Sequence, residues 1–155
     1  MGTSLKCHFS NNRIQFKDKV DDWREAIVIA SEPLLLEGII EKRYVEAMID
    51  SINRLGDYVV LVPKVAMPHA RPELGSLGTG VSILKLDEPV IFGENHLVYI
   101  IICLATKDNQ SHLEVLQDIS VVIDEEDKVD SLIAQDDKTC FMQLVEKYIQ
   151  EEENQ

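Results

Sequence analysis

The side chain best suited to chemistry in this chain is an imidazole held between two prolines, in the segment VPKVAMPHARPELG at residues 62–75. Pro68 and Pro72 each fix a backbone torsion and remove a backbone donor, so the loop that presents His69 should be stiff. A neutral imidazole nitrogen is a competent nucleophile, and histidine is partly neutral at physiological pH. Arg71, two residues on, carries a forked set of donors that suits a phosphate. These residue types suit phosphoryl transfer through His69, among other kinds of chemistry.

A second imidazole, His112, stands shortly after a long apolar run that ends at Ala105. Asp108 or Asn109 is a natural N-cap residue, which would place His112 in the first turn of the next helix. A helix N-terminus offers free N–H groups and partial positive charge, which bind phosphates and disfavour imidazolium. We therefore expect a neutral His112 that, with Arg71, is a candidate to supply the donors a phosphoryl group requires.

The elements that position these residues follow from hydrophobic periodicity. Helical patterns precede and follow a central group of extended segments, which predicts one sheet covered by helices. The unbroken apolar run at residues 97–105 is typical of a strand buried on both faces. Pro33 weakens the end of the first predicted helix, whereas Gly38 and Gly56 are natural helix ends. The predicted strands are 13–17, 58–62, 65–67, 78–86 and 97–105, and the predicted helices are 23–34, 41–55, 109–123, 128–134 and 139–150.

The chain is strongly acidic, with a formal net charge of −13 from 15 Lys and Arg residues against 28 Asp and Glu residues. It lacks the clustered basic residues that neutralise nucleic-acid phosphates or bind an anionic membrane, which argues against both kinds of partner. A basic protein partner is favoured instead, because opposite potentials speed encounter.

Cysteine usage and hydropathy indicate the compartment. Cys7, Cys103 and Cys140 are widely spaced and odd in number, which fits reduced thiols better than a disulfide framework or a metal motif. No apolar run approaches the roughly 20 residues that span a bilayer, and no signal-peptide pattern is present. The sequence therefore predicts a cytoplasmic protein. Its length predicts a single domain over residues 1–155, with flexible ends at residues 1–10 and 151–155.

Three stretches resemble one known family: YVEAMIDSI at residues 44–52, AMPHAR at residues 66–71 and TKDNQSHLEVLQDIS at residues 106–120. They are similar to the mannitol/fructose-type EIIA family of the bacterial phosphoenolpyruvate-dependent sugar phosphotransferase system. The run VAMPHARPELG looks most like the ascorbate-type branch of that family. The resemblance implies an α/β fold, a three-layer α/β/α sandwich with a mixed central sheet. It also implies a phosphocarrier that uses no metal and no organic cofactor.

The resemblance further implies partners and residue roles. His69 would take a phosphoryl group on Nε2 from the phosphocarrier HPr and pass it to a cysteine of the cognate EIIB component. The group would end on a sugar that crosses the EIIC membrane component. His112 matches the family's second histidine, which is implied to steady the phosphohistidine. We assign Arg71 and Ser111 to binding of the phosphoryl group.

The chain departs from the patterns of individual branches. Ser51 and Ile52 stand where the mannitol and fructose branches usually carry Arg-Glu, and Ala70 stands where they usually have glycine. Lys64 stands where the ascorbate-type branch tends to have glycine. The sugar therefore stays open, and the expectation is an ascorbate-type substrate or a related sugar acid or pentitol.

Other interpretations of the same residues stay open. A metal-dependent hydrolase would use His69, His112 and Asp108, but the prolines prevent an HExxH-type helical pair. A regulatory domain of the same fold would be phosphorylated on the same histidine and act as a switch, since fold does not fix function. In a third interpretation His69 is inert. His8 and His96 are expected in the terminus and in a turn, and the oligomeric state, a homodimer included, is undetermined.

Overall fold

The computed structural model of the chain describes residues 13–56 and 58–153, with residues 109–112 and 153 described in their backbone alone. Within these ranges the strands are β1 (Ile14–Lys17), β2 (Val60–Val62), β3 (Lys64–Ala66), β4 (Gly80–Phe92) and β5 (His96–Ala105). The helices are α1 (Trp23–Leu36), α2 (Lys42–Leu55), α3 (Asn109–Ile123), α4 (Glu126–Ile133) and α5 (Lys138–Glu153). A short 3₁₀ turn occupies Pro72–Leu74.

Helix α1 contains Pro33, the residue that weakened the prediction of its C-terminal part. A side chain from the sheet makes the hydrogen bond that the proline cannot make. Pro33 has no N–H to donate to the carbonyl of Ile29 one turn earlier. The side-chain amide of Gln15, on β1, donates to that carbonyl instead. The helix therefore continues to Leu36. Its start is as predicted, because Asp22 is the N-cap and accepts a hydrogen bond of 2.9 Å from a backbone N–H in the first turn.

The strands of the described chain form one mixed sheet in the order β1-β4-β5-β3-β2. β1 runs parallel to β4 and β3 runs parallel to β5, whereas β4–β5 and β2–β3 are antiparallel pairs. Parallel neighbours end at the same edge of a sheet, where ligands usually bind in α/β folds. The segments that follow β3 and β5 therefore leave the sheet side by side, and they carry His69 and His112.

Helices cover both faces of the sheet, which confirms the three-layer α/β/α sandwich. Helices α1 and α2 pack on one face, against buried residues that include Leu84 and Ile101. Helices α3, α4 and α5 pack on the other face, against residues that include Ile83 and Ile102. Strand β5 is buried on both faces as predicted, because none of residues 100–105 is more than 3% exposed.

Strand β4 is longer than predicted. The expected end was Leu86, but pairing with β5 resumes beyond an irregularity and continues to Phe92. The irregularity, between residues 85 and 90, takes up the polar and proline residues Asp87, Glu88 and Pro89. The local sequence pattern predicts that β4 ends near Leu86, but its backbone pairing with β5 resumes beyond the bulge.

Several other elements also begin or end at residues other than those predicted. His96 is the first residue of β5 rather than a turn residue. Helix α5 continues to Glu153, three residues beyond its predicted end. Residues 1–10, expected to be flexible, lie outside the described ranges. No helix in the described ranges is long and apolar enough to cross a bilayer.

Lys64 has a backbone conformation that favours glycine, the residue that the resemblance to the ascorbate-type branch implies at this position. Its φ is +77°, and a β-carbon in this left-handed region costs roughly 1–2 kcal/mol. Its ammonium group lies 2.6 Å from Asp130 and 3.4 Å from Glu126, both on α4. The side chain thus fastens the start of β3 to α4 while the backbone is strained.

We expect Lys64→Gly to be more stable than Lys64→Ala. Both variants lose the same two ion pairs, so the comparison isolates the backbone. Relief of the left-handed strain outweighs the roughly 0.5–1 kcal/mol that the greater unfolded-state freedom of glycine costs. Urea unfolding should show a midpoint several tenths of a molar higher for the glycine variant. Equal midpoints would contradict the assignment of strain to this residue.

Candidate active site

The two residues before His69 are each hydrogen-bonded to a neighbouring segment of the chain. Met67 follows β3 and donates its N–H to the Val59 carbonyl at 2.8 Å. The carbonyl of Pro68 accepts a hydrogen bond of 3.2 Å from the N–H of Leu104 on β5. Pro68 is therefore hydrogen-bonded directly to the neighbouring strand β5, and the stiffness expected of the proline-flanked loop stays a prediction.

The ring of His69 is oriented by the loop itself. Its Nδ1 lies 2.9 Å from the carbonyl oxygen of Met67. A carbonyl oxygen only accepts, so Nδ1 carries the proton in this contact, and the lone pair of the neutral ring is on Nε2. The Tyr58 ring meets the imidazole edge-on, with ring centroids 6.0 Å apart. This arrangement makes Nε2 the nucleophilic nitrogen.

His69 opens onto a cleft with a volume of about 730 Å³. The cleft brings together the end of α2, the loop after His69 and the residue that follows β5. It is lined by Ser51, Arg54, Leu55, Tyr58, residues 69–74 and Thr106. Both polar and apolar groups thus surround the imidazole.

Two arginine residues line this cleft, beside the acidic Glu73. Arg71 was predicted to be there, and it is exposed. Arg54 was not predicted; it lies on α2, one turn beyond Ser51, and pairs with Asp50 at 3.0 Å. Arginine presents a planar fork of donors that matches phosphate oxygens. The cleft therefore has cationic donors on two of its walls.

For His112, which carries the second imidazole, the structure describes only the backbone. Helix α3 begins at Asn109, so His112 lies in its first turn, as the sequence predicts, with Ser111 beside it. The side chains of both residues lie outside the described part of the structure, so their predicted roles stay predictions. Thr106, which precedes α3 by three residues, lines the His69 cleft and is 4% exposed. The start of α3 therefore follows closely on the wall of the cleft.

Sequence reasoning also missed Tyr44, Tyr58 and Thr106. Tyr44 lies on α2 and is buried, but its hydroxyl reaches the His69 loop. Tyr58 was predicted as the first residue of a strand and precedes the observed β2, and Thr106 follows β5; local pattern carries no signal that the two share a cleft. Among the residues whose side chains are described, no three His, Cys, Asp or Glu are grouped as a metal site requires.

The sequence profile of one family matches residues 8–148; its description is phosphoenolpyruvate-dependent sugar phosphotransferase system, EIIA 2. The chain belongs to this EIIA family. As an EIIA protein it is a phosphotransferase component of a sugar phosphotransferase system. The resemblance seen in the AMPHAR segment is thereby confirmed over nearly the whole chain.

Curated relatives of this EIIA chain differ in their sugars. The mannitol-specific cryptic phosphotransferase enzyme IIA component of Escherichia coli K12 is 36% identical over 130 residues, which are 83% of this chain and 88% of the relative. The ascorbate-specific EIIA component of the same strain is 36% identical over 120 residues, or 75% and 78% of the two chains. Their similar identities do not decide between the two sugars.

Solved EIIA structures share the fold. The solution structure of the mannitol-specific cryptic enzyme IIA from E. coli has a TM-score of 0.86 and 32% identity, covering 93% of this chain and 99% of that one. A complex of the E. coli mannitol enzyme IIA with phosphorylated enzyme IIB matches with a TM-score of 0.72 and 27% identity, covering 90% and 97%.

Proposed function

We propose that Nε2 of His69 accepts a phosphoryl group from HPr and passes it to a cysteine of EIIB. The observation that carries this proposal is the 2.9 Å contact of Nδ1 with the Met67 carbonyl, which gives Nε2 the lone pair. The attacking nitrogen forms its bond to phosphorus as the bond to the donor breaks, and the second transfer breaks the N–P bond as a cysteine thiolate forms S–P. Nδ1 keeps its proton throughout.

The Met67 carbonyl also helps after the attack. Phosphorylation draws electron density from the imidazole and makes the ring more cationic. The Nδ1–H donor then makes a stronger hydrogen bond, because charge-assisted bonds exceed neutral ones. The loop thus stabilises the phosphorylated ring without any acid–base step, as phosphoryl transfer mainly requires positioning and donors.

The phosphoryl oxygens take their donors from the walls of the cleft. Arg71 and Arg54 supply guanidinium groups. We assign Ser111 to the same binding role and His112 to steadying the phosphohistidine, from the first turn of α3. The free N–H groups of that turn add partial positive charge.

We expect Arg71→Gln and Arg54→Gln each to slow phosphorylation by HPr about tenfold, or roughly 1.4 kcal/mol in the barrier. Each variant removes one forked donor from the developing charge. Arg24→Gln is the control, since Arg24 lies on α1, contacts Asn53 and Trp23, and is not part of the cleft lining. Stopped reactions with radiolabelled donor measure the rates. Equal rates in all three variants would show that neither arginine contributes to phosphoryl transfer.

The rim of the cleft fits protein partners. Leu55 is 64% exposed, and Tyr58 and Leu74 are each 40% exposed. Large exposed apolar side chains next to a polar cleft mark protein interaction sites. The related mannitol enzyme IIA forms a complex with its phosphorylated enzyme IIB. HPr and EIIB are therefore the proposed partners, in the cytoplasm, with EIIC receiving the group through EIIB.

For the sugar we propose an ascorbate-type substrate, or a related sugar acid or pentitol. Ser51, Ile52 and Ala70 depart from the mannitol and fructose patterns. Lys64 departs from the ascorbate-type pattern, but it lies at the start of β3 and contacts α4 rather than lining the cleft. That departure therefore leaves the chemistry at His69 untouched.

The test is a two-stage transfer. The protein is first incubated with phosphoenolpyruvate, enzyme I and HPr, and acid-labile, base-stable phosphate is expected on it. Purified EIIB proteins of ascorbate, mannitol and fructose type are then added one at a time, and the ascorbate-type protein is expected to remove the label fastest. Retention of the label with every EIIB would contradict a transport role and favour a regulatory switch.

A further inference from the structure

The hydroxyl of Tyr44 is buried in the protein but is hydrogen-bonded to the active-site loop. The residue lies on α2 and is 1% exposed. Its oxygen accepts a hydrogen bond of 3.1 Å from the N–H of Ala70, the residue directly after His69. The hydroxyl also lies 2.9 Å from the carbonyl of Leu104 on β5 and 3.1 Å from the carbonyl of Ala70. One side chain thus joins a helix, the loop and the central strand.

These contacts close a ring of hydrogen bonds around His69. The hydroxyl has one proton, and the shorter contact directs it to the Leu104 carbonyl. The N–H of the same residue, Leu104, donates to the carbonyl of Pro68. Pro68 and Ala70, the two neighbours of His69, are therefore both tied to Leu104, one directly and the other through Tyr44. The backbone of His69 is therefore part of this ring of hydrogen bonds, and its side chain opens onto the cleft.

We propose that the Tyr44 hydroxyl is a positioning group for the phosphoryl-accepting histidine, fixing the ring of His69 in its Nδ1–H form; the inference rests on the proposed function. Tyr44 does not line the cleft and so does not touch the phosphoryl group. It acts through the backbone of Ala70. Burial also raises the pKa of the phenol well above its ordinary value, so the proton that bonds Leu104 stays in place at any working pH.

The informative variant is Tyr44→Phe, which keeps the aromatic ring in the core and deletes only the hydroxyl. The N–H of Ala70 and the carbonyl of Leu104 then lose their shared partner, and the loop is fastened only on its Pro68 side. We expect the limiting rate of phosphorylation at saturating phosphorylated HPr to fall about tenfold. The HPr concentration at half-maximal rate should change less than twofold, because a buried hydroxyl does not contact the donor.

A spectroscopic readout separates positioning from general destabilisation. In protein labelled with ¹⁵N-histidine, long-range ¹H–¹⁵N spectra at a pH where His69 is neutral should show the Nδ1–H form alone. Tyr44→Phe should show a mixture of both tautomers. The matched control is Val45→Ala, on the same helix and 7% exposed, which weakens the core but leaves the hydroxyl contacts intact. It should keep both the wild-type rate and the single tautomer.

A measurement on the unsubstituted protein keeps the test valid if Tyr44→Phe does not fold. The amide of Ala70 should exchange slowly with deuterium, because Tyr44 covers it. Fast exchange of this amide overturns the proposal, as does a Tyr44→Phe protein with the wild-type rate and tautomer. Equal losses in Tyr44→Phe and Val45→Ala also overturn it, since the hydroxyl would then be merely structural. Failure of the unsubstituted protein to accept phosphate defeats the proposed function instead, and the tautomer and exchange results still test Tyr44.

Discussion

A His69→Ala protein is expected to take up no phosphate from phosphorylated HPr, while the unsubstituted chain is labelled to about one group per molecule. The variant removes the nucleophilic nitrogen itself, and alanine offers no substitute. Loss of a covalent nucleophile removes the whole step rather than slowing it. The side chain is only partly buried and lies in a loop, so the fold should survive. Intact-protein mass spectrometry measures the label, and circular dichroism checks the fold.

His96→Ala is the matched control for loss of an imidazole. This residue begins β5, is exposed and does not line the His69 cleft. It should be labelled like the unsubstituted protein. Full labelling of His69→Ala would refute the assignment of the phosphorylated residue, and loss of label in both variants would show that the assay reports something other than the site.

The largest effect on stability is expected from Gly75→Ala. Gly75 follows the 3₁₀ turn of the active-site loop and has a φ of +131°, where a side chain is strained. An added β-carbon would lie 3.0 Å from the backbone nitrogen and from the β-carbon of Tyr44. Backbone strain and overpacking each cost roughly 1–3 kcal/mol, so we expect a total loss of about 2–6 kcal/mol in the free energy of unfolding.

Gly38→Ala separates the two causes. Gly38 also has a positive φ, of +76°, but nothing lies within 4 Å of the position of its missing β-carbon. This variant should lose only the strain, about 1–2 kcal/mol. Chemical denaturation measures both variants. Equal losses would show that the crowding against α2 is relieved by a small shift, and that the active-site loop is held less tightly than its geometry indicates.

Much of the architecture could be predicted from hydrophobic periodicity. Helix α3 has the boundaries predicted for it, residues 109–123, because its apolar spacing is regular and begins at a recognisable cap. The apolar run of β5 indicated a strand buried on both faces, and both faces are covered. Strand β4 was predicted too short, because its last part is specified by pairing with β5 across a bulge and not by its own pattern.

The candidate histidine and Arg71 could be picked out from the sequence, but most of the other residues around the cleft could not. The two prolines near His69 are a local signal, and one of them, Pro68, is hydrogen-bonded to the neighbouring strand. Arg54 enters the cleft because α2 is packed against the sheet at one particular rotation, which single-residue patterns do not specify. The contacts of Tyr44 span 26 and 60 residues along the chain. An apolar helix face predicts that such a ring is buried but gives no information about the hydroxyl.

The resemblance to a family supplied what physical reasoning from one sequence left open. A histidine between prolines fits several kinds of chemistry, and only the match over residues 8–148 narrows them to phosphoryl transfer. The net negative charge of the chain, by contrast, indicated a basic protein partner but did not show which surface would bind it. Part of the acidic run at residues 124–127 lies near Lys64, at the start of β3, because Glu126 pairs with that lysine. The cleft itself has arginines on its walls and apolar residues at its rim.

In the proposed mechanism, Nε2 of His69 carries the phosphoryl group while Nδ1 stays protonated against the Met67 carbonyl. Long-range ¹H–¹⁵N spectra of the ¹⁵N-histidine-labelled protein, recorded before and after phosphorylation by HPr, test it directly. We expect phosphorus coupling and a changed shift at Nε2 of His69 alone, with the Nδ1 proton retained. Coupling at Nδ1, or at the ring of His112 or any other histidine, would contradict this account of the site.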